Sequence, residues 1–193
     1  MTRRLASVDI GTNSVRLLVA DVDGAGADAR VATLDRRMDW LNKQLDADRK
    51  ALGMAYGFGI FLRRGELIGE VSLGSVQRGP FQSAFVGYWV DQHHAGNGYV
   101  PEAVLLTLRY AFDDLELHRV EAAIVPRNAR SRRVADKLGL RDEGISERFL
   151  QIRGVWEDHV RYAMTAEEWA VRRDELERTF LGRRKVKAGG RAR

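Results

Sequence analysis

Cysteine is absent from the 193 residues, which excludes disulfides, thiolate metal sites and a cysteine nucleophile, and suits a reducing, cytoplasmic setting. Only three prolines occur and no tract is of low complexity, so a folded chain is expected rather than a disordered one. No apolar run approaches the ~18–20 residues that a membrane-spanning helix needs, and no membrane partner is expected. Thr2, Arg3 and Arg4 lead into too few apolar residues before Asp9 to read as a secretory signal. The histidines are His93, His94, His118 and His159, and none has a neighbour at metal-ligand spacing, so no metal site is expected.

A basic excess is also missing from most of the chain. The net charge is +5, but residues 183–193 carry Arg183, Arg184, Lys185, Lys187, Arg191 and Arg193 and no acid. The remainder is close to neutral, which argues against nucleic-acid binding by the body of the protein. The tail reads as a solvated, disordered end that could touch RNA or an acidic partner. What is present is ordinary for one folded domain: 45% hydrophobic and 31% charged residues, enough for a single sizeable core.

The hydrophobic pattern alternates between periods of two and of three to four residues. Leu5–Ile10 and Val15–Val22 read as short strands around Gly-Thr-Asn-Ser, followed by a Gly- and Asp-rich junction. Leu34, Met38, Leu41, Leu45 and Leu52 mark an amphipathic helix over residues 34–52. Strands are expected at Gly57–Leu62 and Leu67–Val76, joined in hairpin fashion by Arg63-Arg64-Gly65-Glu66, then at Ser83–Val90. A helix opening at Pro101 and running to about Leu115 precedes a strand, His118–Val125, and a helix, Ala129–Leu138. Arg148–Ile152 and His159–Met164 form a closing hairpin, and a charged helix, Ala166–Leu181, leads into the tail. The reading is a mixed α/β (α+β) domain: a central, mostly antiparallel sheet flanked by helices. Trp40, Trp89, Trp156 and Trp169 read as core or pocket wall.

One succession carries chemistry. A strand ending Gly87-Tyr88-Trp89-Val90 meets the loop Gln92-His93-His94-Ala95-Gly96-Asn97-Gly98-Tyr99-Val100, and a helix follows at once. Glycines let backbone N–H groups approach a ligand, and a helix start offers the positive end of its dipole, which suits phosphates or a pyrophosphate. No Gly-Lys-Ser/Thr follows, so this is not a nucleotide-triphosphate loop, nor is it the dinucleotide fingerprint. A tight turn that needs glycine would have the same pattern. After the next strand come Pro126-Arg127-Asn128-Ala129-Arg130-Ser131 and Lys137-Leu138-Gly139-Leu140. Asn128 is a natural helix N-cap, with Ser131 at the third helical position.

Together with His118-Arg119-Val120-Glu121 and Trp156-Glu157-Asp158-His159, these pieces in this order resemble the GNAT superfamily of acyl-CoA N-acyltransferases. The resemblance runs from about Thr33 to Trp169 and is strongest to the RimJ/RimL type, the ribosomal-protein-alanine acetyltransferases. It implies a GNAT fold and acetyl-CoA as cofactor. Its pyrophosphate would lie on the backbone of Ala95, Gly96, Asn97, Gly98, Tyr99 and Val100. Trp89, Val90 and Asp91 would form a bulged strand that pairs with the pantetheine arm and aims an N–H at the thioester carbonyl. Asn128 and Ser131 would sit beside the pantetheine and sulfur, with Ser131 as donor to the leaving thiolate. Val100 stands where glycine or alanine is usual and would crowd the phosphates. Ala135 replaces a tyrosine found in many GNAT enzymes. No general base carries over from the resemblance; Glu70 and Asp91 are the candidates from the residues themselves, with His159 as a further group that could face the acceptor.

Residues 6–22 are similar instead to the first phosphate-loop hairpin of the exopolyphosphatase/guanosine-pentaphosphate phosphatase family, through Asp9, Gly11, Thr12, Asn13 and Ser14. The expected organisation is an atypical hairpin and junction over 1–32, a GNAT domain over 33–182 and the tail over 183–193. The strand Val15–Val22 would stand in for the first GNAT strand. The expected function is acetyl transfer to a primary amine, most simply a protein N-terminal α-amine, by direct attack in a ternary complex and by a monomer or homodimer. The alternatives are a module that binds acetyl-CoA without turnover and a phosphate-binding fragment.

Overall fold

The structure is a computed structural model that describes residues 53–62 and 65–181. The hairpin and junction of 1–32, the helix of 34–52, Arg63-Arg64 and the tail lie outside the described residues.

Among the described residues six strands make one sheet: β1 (Tyr56–Phe61), β2 (Leu67–Gln77), β3 (Ser83–Val90), β4 (Arg119–Ile124), β5 (Arg141–Ile152) and β6 (Val155–Thr165). Their spatial order is β1-β2-β3-β4-β6-β5. Every adjacent pair is antiparallel except β3 and β4, which run parallel. A parallel pair needs a crossover, and α1 (Tyr99–Arg109) supplies it, continuing as a wider turn through Tyr110–Asp114. Two further helices follow, α2 (Ala129–Leu138) and α3 (Ala166–Leu176), the latter extended by Glu177–Leu181.

One face of the sheet forms the core. Phe58, Val71, Val86, Val120, Tyr162 and Met164 lie on it, packed with Leu105 and Leu108 of α1, Leu138 of α2 and Trp169 of α3. Residues of α1 from Tyr99 to Leu108 are nearly all buried, as a helix that is apolar on most sides requires. α2 buries only Ala135 and Leu138 and keeps its charges outside. At α3 a capping box forms: Glu168 N–H donates to Thr165 Oγ1 (3.4 Å) and Thr165 N–H to Glu168 Oε2 (2.8 Å). Trp169 then stacks on Phe112 (5.7 Å between centroids) and donates from Nε1 to Asp113 (3.0 Å), which fastens α3 to the end of α1.

The other face is polar over β4, β5 and β6. Arg161 lies over the rings of Phe149 (4.3 Å) and Phe85 (5.2 Å) and pairs with Glu121. Arg119 joins Glu121 (3.3 Å) and Glu143, and Arg141 joins Glu143 (2.9 Å) and Glu168. The two arginines hold the Glu143 carboxyl below the usual carboxylate range.

Within the described residues the expected elements recur, with five corrections. The helix at the glycine loop starts at Tyr99, with Pro101 as its third residue; its missing N–H is still one of those that no helical partner would use. β5 begins at Arg141 rather than Arg148, and β6 at Val155 rather than His159. Trp89 and Trp156 are 43% and 58% exposed, so neither belongs to the core. The bulge lies in β2 at Ser75 (φ +50), not at Trp89–Asp91, and the β2–β3 register is unbroken from Gly87 to Val90.

Gly69 faces Val90 in that ladder. A Cβ there would fall inside contact distance of the Trp89 carbonyl oxygen and 3.0 Å from Val90 Cα, both backbone atoms that cannot turn aside. Gly69→Ala is expected to lower stability by about 1–3 kcal/mol, measured as a shift in the urea midpoint at unchanged slope.

Candidate active site

β3 and β4 pair over only three rungs: Ser83–Arg119, Ala84–Val120 and Phe85–Glu121. Beyond them β3 continues to Val90 alongside β2, and β4 continues to Ile124 alongside β6. The sheet therefore forks, and each prong is held by its outer neighbour. Asp91 N–H donates to Ile68 O (2.7 Å), so that N–H is already used. Antiparallel alternation then turns the main-chain groups of Trp89 towards β2, and those of Tyr88 and Val90 into the fork. Of Trp89, Val90 and Asp91, only Val90 therefore has its N–H on the fork side.

The loop after β3 closes the fork at its mouth. Asp91 accepts from His93 N–H (2.7 Å) and starts the single turn Gln92–His94. Asn97 Nδ2 donates to His94 O (3.2 Å). Gly96 (φ +86) and Gly98 (φ +88) have left-handed backbone, costly for any residue with a Cβ, and nothing lies within 4 Å of where either Cβ would be. Gly98 is the N-cap of α1 and offers no side chain to its first N–H groups. Gly96, Asn97 and Gly98 are exposed, and no hydrogen bond among the described residues uses their N–H groups or that of Val100. The Val100 side chain is partly buried and packs against the core.

The opposite prong ends in the turn that leads to α2. Asn128 Oδ1 accepts from Ser131 N–H (3.1 Å), the N-cap bond expected of it, and Asn128 itself is exposed. Arg127 forms a two-bond pair with Glu157, one of them 2.7 Å, which ties this turn to β6 and holds the Glu157 carboxyl below its usual range. Ser131 O accepts from the Tyr88 hydroxyl across the fork (3.2 Å). The structure thus brings Tyr88 and Ser131 together across the fork, with the glycine loop following one prong and Asn128 the other.

The three candidate catalytic groups sit in three settings. The Ser131 side chain is half-buried at the start of α2. Glu70 is buried on the opposite face of the sheet from Tyr88, where it accepts from Trp89 Nε1 (3.3 Å). Asp91 is exposed, its carboxylate occupied with the His93 amide and 3.6 Å from His94 Nδ1. His159 is buried on the polar face beside Phe149 (5.9 Å), and its Nδ1 meets Glu157 O (2.9 Å), an acceptor, which makes Nδ1 the donor of that bond. His118 pairs with Glu167 (3.2 Å) at the surface. No group of acidic or histidine side chains that could hold a metal occurs among the described residues.

Tyr88 is the site residue that sequence reasoning named only as part of a motif. Burial pushes its hydroxyl up to about 12, so it stays protonated at any physiological pH. The available signal was strand alternation: two residues before Val90 is the next main-chain unit facing the fork.

Comparison with known proteins agrees with this geometry. The family model for the acetyltransferase (GNAT) domain matches residues 18–141, so it reaches back into the segment set apart at 1–32. The chain is 45% identical over 125 residues to a probable N-acetyltransferase, YjcK, of Bacillus subtilis, covering 64% of this chain and 66% of that one. It is 36% identical over 118 residues to the [ribosomal protein uS5]-alanine N-acetyltransferase of Escherichia coli, with 61% of each covered. It therefore spans a little under two thirds of these curated relatives. Among solved structures, Mycobacterium smegmatis RimJ in complex with CoA-disulfide matches with a TM-score of 0.60 and 38% identity, over 63% of this chain and 57% of that one. The ribosomal-protein-S5-alanine acetyltransferase of Vibrio fischeri matches with a TM-score of 0.61 and 30% identity, over 75% and 80%. With its forked sheet, its glycine loop at a helix start and a family match over most of its length, the chain belongs to the GNAT acetyltransferase family.

Proposed function

We propose that the chain is an N-acetyltransferase that moves an acetyl group from acetyl-CoA to a primary amine, and that the amine is the N-terminal α-amine of a protein, alanine in the first instance. The observation that carries this is the fork. A sheet whose central strands part after three rungs leaves main-chain groups of Tyr88 and Val90 with no strand to pair with, and an extended polar ligand can take the vacant place. The relatives named as acting on ribosomal-protein alanine support the choice of amine.

The described residues fit a CoA thioester. Open space over Gly96 and Gly98 and the uncapped start of α1 suit a pyrophosphate, the prong Tyr88–Val90 suits the pantetheine arm, and Asn128 stands at the mouth. When bound, acetyl-CoA supplies an acetyl group already activated as a thioester. The Val90 N–H is a donor fixed in direction by the ladder, so it can favour negative charge on a carbonyl oxygen without reorganising. An α-amine, with a pKa near ~8, must lose a proton before it attacks. Of the two acids, Glu70 is the better candidate to accept that proton, because it is buried against the sheet whereas Asp91 is exposed and caps a surface turn. Direct attack needs no enzyme nucleophile, in keeping with a chain without cysteine.

Acetyl-CoA is expected to raise the melting temperature of the purified protein, by the equivalent of about 2.7 kcal/mol at a hundred times its Kd. Gly98→Glu, which imposes a side chain on left-handed backbone and sets a carboxylate against phosphate, is expected to remove most of that shift. An equal shift with ATP, or none with acetyl-CoA, would count against the proposal.

For the acceptor, kcat/KM is compared for a peptide beginning with alanine, the same peptide with a blocked N-terminus and internal lysines, and spermidine. The first is expected to lead by at least tenfold, the cost of leaving about one hydrogen-bonded contact unmade. Preference for spermidine would overturn the choice of an α-amine.

A further inference from the structure

The Tyr88 side chain reaches across the fork on its core side. Its hydroxyl meets Ser131 O at 3.2 Å, long for an O–H···O bond, whose usual length is about 2.7–2.8 Å. Such a bond is a resting partner that a better acceptor can displace. Ser131 and Ala135 lie one turn apart on the same side of α2, and Ala135 brings only a methyl group to that level of the helix. The neighbouring hydroxyl, that of Tyr162, already accepts from Arg132 Nε (3.0 Å). Tyr88 also presents its main-chain groups to the fork, so one residue supplies both the edge on which an extended ligand would pair and a hydroxyl above that edge.

We propose that Tyr88, rather than Ser131, is the hydrogen-bond donor to the sulfur that leaves when the acetyl group is transferred. This rests on the acetyl-CoA reading above. In the transfer, the amine nitrogen forms the new C–N bond with its lone pair, the C–S bond breaks, and its electron pair departs on sulfur. The proton shed by nitrogen ends on sulfur through solvent, giving amide and free thiol. Tyr88 holds the sulfur's charge while it develops and keeps its own proton. A phenol at about 12 is a weaker acid than a thiol, for which the ordinary value is about 8.5, so the hydrogen bond forms without net transfer. Ser131 contributes its carbonyl as the place where the hydroxyl waits.

The test measures binding apart from turnover. Wild type, Tyr88→Phe and Ser131→Ala are each titrated calorimetrically with CoA and with desulfo-CoA, which lacks only the sulfur. Wild type and Ser131→Ala are expected to prefer CoA by about 3–10-fold, and Tyr88→Phe to lose that preference while binding desulfo-CoA within about twofold of wild type. Its kcat is expected to fall by about 100-fold with KM for the amine unchanged. A Tyr88→Phe protein that keeps the preference, or that weakens both ligands equally, overturns the assignment and leaves Tyr88 as a structural tie. Failure of wild type to bind either compound overturns the acetyl-CoA reading itself.

Discussion

The parting of β3 and β4 after Phe85 and Glu121 is the constraint on which the rest of the structure depends. Main-chain N–H and C=O groups in a sheet demand partners, and a fork leaves two short rows of them without strands. The fold keeps this gap open by holding each prong from outside: β2 grips β3 as far as Val90, and β6 grips β4 as far as Ile124. The gap is bridged on the core side by the Tyr88 hydroxyl and anchored beside it by Arg127 and Glu157. Even Gly69 belongs to this scheme, since only a residue without Cβ lets β2 lie so close to Trp89 and Val90.

Polarity divides along the sheet in a way that serves the same opening. The core face carries the apolar residues that seat α1 and α2, and so sets the direction of the helix start at Gly98 and of the cap at Asn128. The other face holds Glu70 with Trp89 near one prong, and Arg161 against two phenylalanine rings near the other. A thioester approaching along the helix side and an amine approaching from the polar side would meet in the fork, which is the arrangement that direct transfer requires.

Much of this was legible in the amino-acid order, for identifiable reasons. Ser83–Val90 and Ala129–Leu138 have the expected ends because punctuation is local there: Asn128 caps, Gly139 (φ +70) stops, and Asp91 starts a turn. The strand β5 was only half legible. Most of its residues are exposed and its register with β6 shifts twice, so no alternation of apolar residues marks Arg141–Arg148. Its place is set by backbone pairing with β6, from Arg141 opposite Ala163 to Ile152 opposite Val155, with ion pairs to Arg119 and Glu168 added at the surface. At the site, the glycine loop and Asn128 could be read because they are short motifs. Tyr88 could not, because its partner lies 43 residues away and its importance comes from which way a strand faces.

The central claim is that the main-chain groups of Tyr88 and Val90 await an extended ligand, and hydrogen exchange at single residues tests it most directly. In the free protein the amides of Tyr88 and Val90 should exchange rapidly, while that of Trp89, paired with β2, is protected. On saturation with acetyl-CoA the Val90 amide should slow by at least tenfold, and that of Trp89 should change little. Acetyl-CoA that binds tightly yet leaves Val90 exchanging as before would contradict the account.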